Sequence, residues 1–103
     1  MSWHATALAA DAADDAAAVP LRLGGNAVVL VAWRGRWYAI EDRCSHAGCA
    51  FSVDGEFDGF HAICDCHGSE FDVRTGRPLR PPATEPIATY RVRMAAGLVE
   101  VDL

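Results

Sequence analysis

Apolar and polar residues alternate along most of the chain in short runs, and most of those runs end beside a glycine. Runs at residues 21–23, 26–33, 36–40, 56–58, 60–63, 70–73, 87–94 and 98–101 are rich in Val, Ile, Leu and aromatic side chains. Each is too short for a helix that buries a stripe, and a period of two fits a strand with one face covered. Gly24-Gly25, Arg34-Gly35, Asp54-Gly55, Asp58-Gly59, Thr75-Gly76 and Ala96-Gly97 separate them, where glycine accepts the positive φ of a tight connection. Short strands joined in this way predict an all-β chain, an antiparallel sandwich or barrel.

Two stretches depart from that pattern. Residues 27–33 are apolar without interruption, which makes a strand-sized run far below the roughly 18 residues of a membrane helix. Residues 11–18 have helical composition, but their apolar positions are alanine and valine-free, so a short helical turn or loop is expected. The Ala-rich start has no basic leader, and Asp11, Asp14 and Asp15 interrupt it. Neither an export signal nor a membrane anchor is therefore expected, and a cytoplasmic location follows.

With 103 residues, 51% hydrophobic and 22% charged, the chain is expected to form a single globular domain spanning 1–103. The formal charge is −5, and all nine basic residues are arginine. An acidic balance argues against nucleic-acid binding and suits a carrier steered onto basic partners.

The chemistry is concentrated in Cys44-Ser45-His46-Ala47-Gly48-Cys49 and Cys64-Asp65-Cys66-His67-Gly68-Ser69. C-x-H, seventeen residues, then C-x-x-H supplies two anionic sulfurs and two neutral nitrogens, a set able to hold a metal centre. Both boxes fall at expected hairpin tips, where loops project a site from a rigid scaffold. Zinc is one reading, but its modules favour C-x₂₋₄-C over C-x-H, and the C-x₄-C-x₂-C of plant-type clusters is absent. Of the other histidines, His61 reads as a surface or half-buried strand residue and His4 as solvated. Trp33, Trp37, Tyr38 and Ile40 read as core or strand-face residues. Nothing is left for a second iron site of two histidines and a carboxylate, so a carrier is expected rather than an enzyme.

The two boxes, the continuation His67-Gly68-Ser69-Glu70-Phe71-Asp72 with Thr75-Gly76, and Pro81-Pro82-Ala83-Thr84-Glu85-Pro86 together resemble Rieske-type iron–sulfur proteins over residues 26–103. The resemblance implies a Rieske-type fold whose cluster-binding part, about residues 41–82, is formed by two hairpin loops. It implies one [2Fe–2S] cluster, with Cys44 and Cys64 on the inner iron and His46 and His67 on the outer. Ser69 would donate to a bridging sulfide, Gly48 and Gly68 would allow the curvature that aims amides at sulfur, and the loop at Pro81 and Pro82 would cover the cluster. Cys49 and Cys66 stand where respiratory and photosynthetic members have a disulfide that most dioxygenase ferredoxins lack.

Two ferric ions, two sulfides, two thiolates and two neutral imidazoles leave such a centre uncharged when oxidised, which eases reduction. Phe71 stands where high-potential members carry a tyrosine, so a midpoint in the lower to middle part of the class range of about −150 to +300 mV is expected, and Phe71→Tyr is expected to raise it. By resemblance, the chain is a one-electron carrier between a flavin-containing NAD(P)H ferredoxin reductase and the terminal oxygenase of an aromatic-ring-hydroxylating dioxygenase. The alternatives are the small Rieske subunit of a nitrite reductase or other oxidoreductase complex, and a structural zinc module.

Overall fold

A computed structural model describes residues 2–9, 17–45 and 48–103. Strands β1 (Trp3–Ala9), β2 (Ala18–Leu23), β3 (Asn26–Trp33) and β4 (Arg36–Glu41) precede a four-residue helix α1 (Phe51–Asp54). After it come β5 (Gly55–Asp58), β6 (His61–Cys64), β7 (Ser69–Asp72), β8 (Pro78–Arg80), β9 (Thr89–Tyr90), β10 (Val92–Ala95) and β11 (Leu98–Asp102). They form three antiparallel sheets, ordered β1-β11-β10, β2-β3-β4-β9 and β5-β6-β7-β8. The all-β expectation holds.

β3 explains the arrangement. It lies inside the second sheet, and every side chain from Val28 to Ala32 is buried. Val29 and Val31 point into a core with Ile40, Phe51, Phe71, Val73 and Ile87. Val28, Leu30 and Ala32 point the other way, into a core with Trp37, Ala39, Val99 and Val101. A strand covered on both faces needs no polar positions, which is why its sequence runs apolar without alternating. The second sheet is thus a middle layer, with β11 across one core and β6–β7 across the other.

Several expectations are corrected. β1 was not foreseen, because its composition is alanine-rich; its partner β11 makes it a strand, and the buried Thr6 hydroxyl donates to the Val99 carbonyl at 2.7 Å. The helical turn expected at 11–18 and the acidic run at Asp11, Asp14 and Asp15 lie outside the described residues up to 16, while Ala18 belongs to β2. The run 87–94 is not one strand. Thr89–Tyr90 pairs with β4 and Val92–Ala95 with β11, so the chain changes sheets at Arg91. His4 is half-buried rather than solvated: its Nδ1 lies 2.9 Å from the Ser2 carbonyl oxygen, and its ring covers Gly24.

Asp54-Gly55 is not a hairpin turn either. Gly55 has an extended backbone, φ −149°, and lies opposite Cys64 in the β5–β6 ladder. Glycine is needed there for space, since a Cβ would come within 2.3 Å of the Ile63 carbonyl oxygen.

Candidate metal centre

The two Cys/His boxes fold into loops with the same backbone plan. In the first, which follows β4, the Gly48 N–H donates to the Cys44 carbonyl at 2.9 Å; in the second, which joins β6 to β7, the Gly68 N–H donates to the Cys64 carbonyl at 2.8 Å. Both glycines have positive φ, 72° and 82°, a region that other residues enter at a cost. Each loop then closes five residues after its cysteine: the Cys44 N–H donates to the Cys49 carbonyl at 2.8 Å, and Cys64 faces Ser69 across the β6–β7 ladder.

The two cysteines meet beneath these loops. Cys44 and Cys64 are both 1% exposed, and the Cys44 side chain is close enough to act on the Cys64 thiol. Burial pushes the Cys64 thiol up from its ordinary pKa, and Cys44 adds to this, while the backbone N–H groups of Cys66 and His67 aimed at its sulfur oppose it. A buried sulfur that receives two amide donors is prepared to hold negative charge once a cation replaces its proton.

Ser69 is fully buried, and its hydroxyl accepts the Ala83 N–H at 3.1 Å. Ala83 belongs to the segment that carries Pro81 and Pro82, both exposed; Ser69 thus ties this third loop to the second. The Ser45 hydroxyl ties it to the first, donating to the Glu85 carbonyl at 2.6 Å.

Cys49 and Cys66 form a disulfide between the two loops. Their sulfurs and that of Cys64 lie within 4.8 Å of one another. His67 is exposed at the tip of the second loop. His46 lies outside the described residues. Phe71 is fully buried, its ring edge-on to Phe51 with centroids 5.7 Å apart.

Sequence reasoning missed the groups that hold this frame. Asp42 accepts the Ser52 N–H at 2.9 Å and also takes the Ser52 hydroxyl, fixing α1 against the first loop. The Asp54 carbonyl accepts the Asp65 N–H at 2.8 Å, fixing α1 against the second. Asp72 carries a role that the motif concealed: it accepts from the Arg74 N–H at 2.8 Å and from its guanidinium at 3.0 and 2.9 Å. Burial works to raise the Asp72 carboxyl, but Arg74 outweighs it and holds the group below the usual carboxylate value. Gly76, φ 81°, then packs so closely that a Cβ would sit 2.3 Å from the Ile87 carbonyl oxygen. His61 is half-buried as expected, with Nδ1 3.0 Å from Glu70 Oε1. That contact, and then Arg80, hold the Glu70 carboxyl low.

The donor set suits an iron–sulfur centre: two buried thiols, amides aimed at sulfur, and a buried hydroxyl on the residue that faces Cys64 across the β6–β7 ladder. Residues 2–91 match the family model described as the Rieske [2Fe-2S] domain. The ferredoxin component of the p-cumate 2,3-dioxygenase system of Pseudomonas putida is 33% identical over 79 residues, 77% of this chain and 67% of that one. The 3-phenylpropionate/cinnamic acid dioxygenase ferredoxin subunit of Shigella flexneri is 39% identical over 69 residues, 67% of this chain and 65% of that one. The matched segment thus spans about two thirds of these relatives. A chain in the solved complex of reduced oxygenase and oxidized ferredoxin in carbazole 1,9a-dioxygenase superposes with a TM-score of 0.84 at 30% identity, covering 96% of this chain and 91% of that one. Among the described residues no helix is long and apolar enough to cross a membrane.

Proposed function

The chain belongs to the Rieske [2Fe-2S] domain family and carries one cluster of that type, and from this we propose that it is a one-electron carrier serving the terminal oxygenase of an aromatic-ring-hydroxylating dioxygenase. The cluster supplies a single reversible electron at a centre that is uncharged when oxidised. Cys44 and Cys64 hold its inner iron, and His46 and His67 its outer iron. The observation that carries this reading is the pairing of two buried thiols beneath loops of one backbone plan, with His67 exposed at the rim. Buried sulfurs keep water from the inner end, while an exposed imidazole gives a docked partner a short path.

Ser69 adds to the electronics. Its hydroxyl would donate toward sulfide and so favour the more negative reduced state, and Phe71 offers no second donor. A midpoint in the lower to middle part of the class range of about −150 to +300 mV is therefore expected. The electron donor on this reading is a flavin-containing NAD(P)H reductase, and the carrier works in the cytoplasm as one domain whose cluster-binding part spans about residues 41–82. The named ferredoxin relatives and the structural likeness to the oxygenase–ferredoxin complex support the oxygenase as partner.

Electron paramagnetic resonance of the reduced protein tests the ligand set. An average g below the free-electron value with nitrogen couplings is expected, and His46→Cys or His67→Cys is expected to lower the potential or lose the cluster. Spectra untouched by both substitutions would overturn the assignment.

A further inference from the structure

One cation stands against the first ligand loop. Arg43 directly precedes Cys44 and is exposed, yet its guanidinium folds back over Gly48: a Cβ there would lie 3.4 Å from Nε, 3.5 Å from Nη2 and 3.9 Å from Cζ. The two nitrogens stand closer than the carbon between them, so the group turns its N–H-bearing edge to the loop. Gly48 is bonded to the Cys44 carbonyl, and the Cys44 N–H to Cys49. The charge therefore sits on the turn that carries a cluster ligand. Arg74, Arg80, Arg91 and Arg93 are each paired with a carboxylate, but among the described residues no carboxylate pairs with Arg43. Its acidic neighbours in sequence are engaged elsewhere, Glu41 by the Ala88 N–H at 2.8 Å and Asp42 by the Ser52 N–H at 2.9 Å.

We propose that the Arg43 guanidinium tunes the reduction potential of the cluster upward, a role that rests on the cluster reading above. On that reading, reduction adds one electron to an uncharged centre. The reduced form carries a net negative charge that the guanidinium attracts, while the oxidised form carries none, so the cation stabilises one state more than the other. The gain falls with distance and with added salt. Asp42, Asp54 and Asp65, on the loops and the helix between them, act in the opposite sense, and Arg43 offsets them from the backbone side of the first loop. It also makes up in part for the donor that Phe71 does not supply. Arg43 ligates nothing and transfers nothing; it acts on the cluster through its field alone.

The chain contains no lysine, so Arg43→Lys introduces its one side-chain amine while keeping the charge, and acetylation then removes that charge from protein already folded and loaded. Voltammetry at low ionic strength reads the midpoint before and after acetylation in Arg43→Lys, in wild type, which controls for the α-amine, and in Arg36→Lys. The last makes the same change of charge at the β3–β4 turn, the end of β4 away from Cys44. Acetylation is expected to lower the midpoint of Arg43→Lys by about a threefold change in the one-electron equilibrium, roughly 30 mV, and to move the other two far less. The difference is expected to shrink as salt is added. A midpoint of Arg43→Lys that acetylation leaves in place, or an equal fall in Arg36→Lys, would overturn the proposal. Acid-labile sulfide and the electron paramagnetic resonance spectrum of the same samples judge the cluster reading separately: without sulfide that reading fails, whereas sulfide with an unmoved midpoint defeats the role of Arg43 alone.

Discussion

The two ligand loops share a hydrogen-bond plan, but they are held in place by different means. The second is the tip of a hairpin: β6 and β7 flank it, and their ladder runs up to Cys64 and Ser69. The first has a strand on one side only, and after Cys49 the chain passes into a helix of four residues. Side chains do there what the ladder does for its counterpart: Asp42 grips Ser52, Ser45 grips Glu85, and Cys49 is bonded to Cys66. A site built from two similar loops can thus have one inherited from the sheet and one assembled from tertiary contacts. The second kind is the more easily disturbed.

Substitutions at the cysteines should affect both loops alike. Cys44→Ser and Cys64→Ser are each expected to abolish acid-labile sulfide, since each removes a buried sulfur that no other residue replaces. Loss in only one variant would break the equivalence of the loops.

Removing the disulfide should separate them. A bridge closing a loop of this size contributes about 3 kcal/mol, so Cys49→Ser with Cys66→Ser should lower the denaturation midpoint. Amide exchange should rise more at Cys44 and Gly48 than at Gly68. Asp42→Ala should act in the same direction at about 1 kcal/mol, because it deletes exposed hydrogen bonds to a charged acceptor, and Gly68 should again be spared.

Ser69→Ala sharpens the comparison on the electronic side, since the first loop carries Cys49 at the corresponding place. Voltammetry should show a midpoint lower by about 60 mV, a tenfold change in a one-electron equilibrium. The smallest effect concerns pH. The Glu70 carboxyl is held low by His61 and then Arg80, so its contribution to stability is complete above the unfolded-state value and lost as pH falls through the depressed one. Glu70→Gln should flatten the acid limb of a stability-against-pH curve, modestly because the group lies near solvent.

Much of this was legible in the sequence, for physical reasons. The strands of the middle layer and of the β5–β7 meander show themselves through period-two burial, and β3 through the lack of it. Cysteine and histidine are scarce and chemically distinct, so their spacing marked both loops. The rest depends on partners distant in sequence. β1 is a strand because β11 lies beside it, and Ser45 bonds a carbonyl forty residues away. Gly55 looked like turn punctuation, yet it is a clearance for the Ile63 carbonyl. Asp72 and Gly76 looked like part of a ligand motif, but they brace the segment that runs on to the proline loop.

Because β3 feeds one row of side chains to each of the two cores, neither half of the molecule owns a private foundation. Damage at the redox end is felt at the far sheet through the strands that both cores share. A calorimetric scan should therefore trace one melting event rather than two, and a partner that stiffens the cluster loops should raise the melting point of the whole chain.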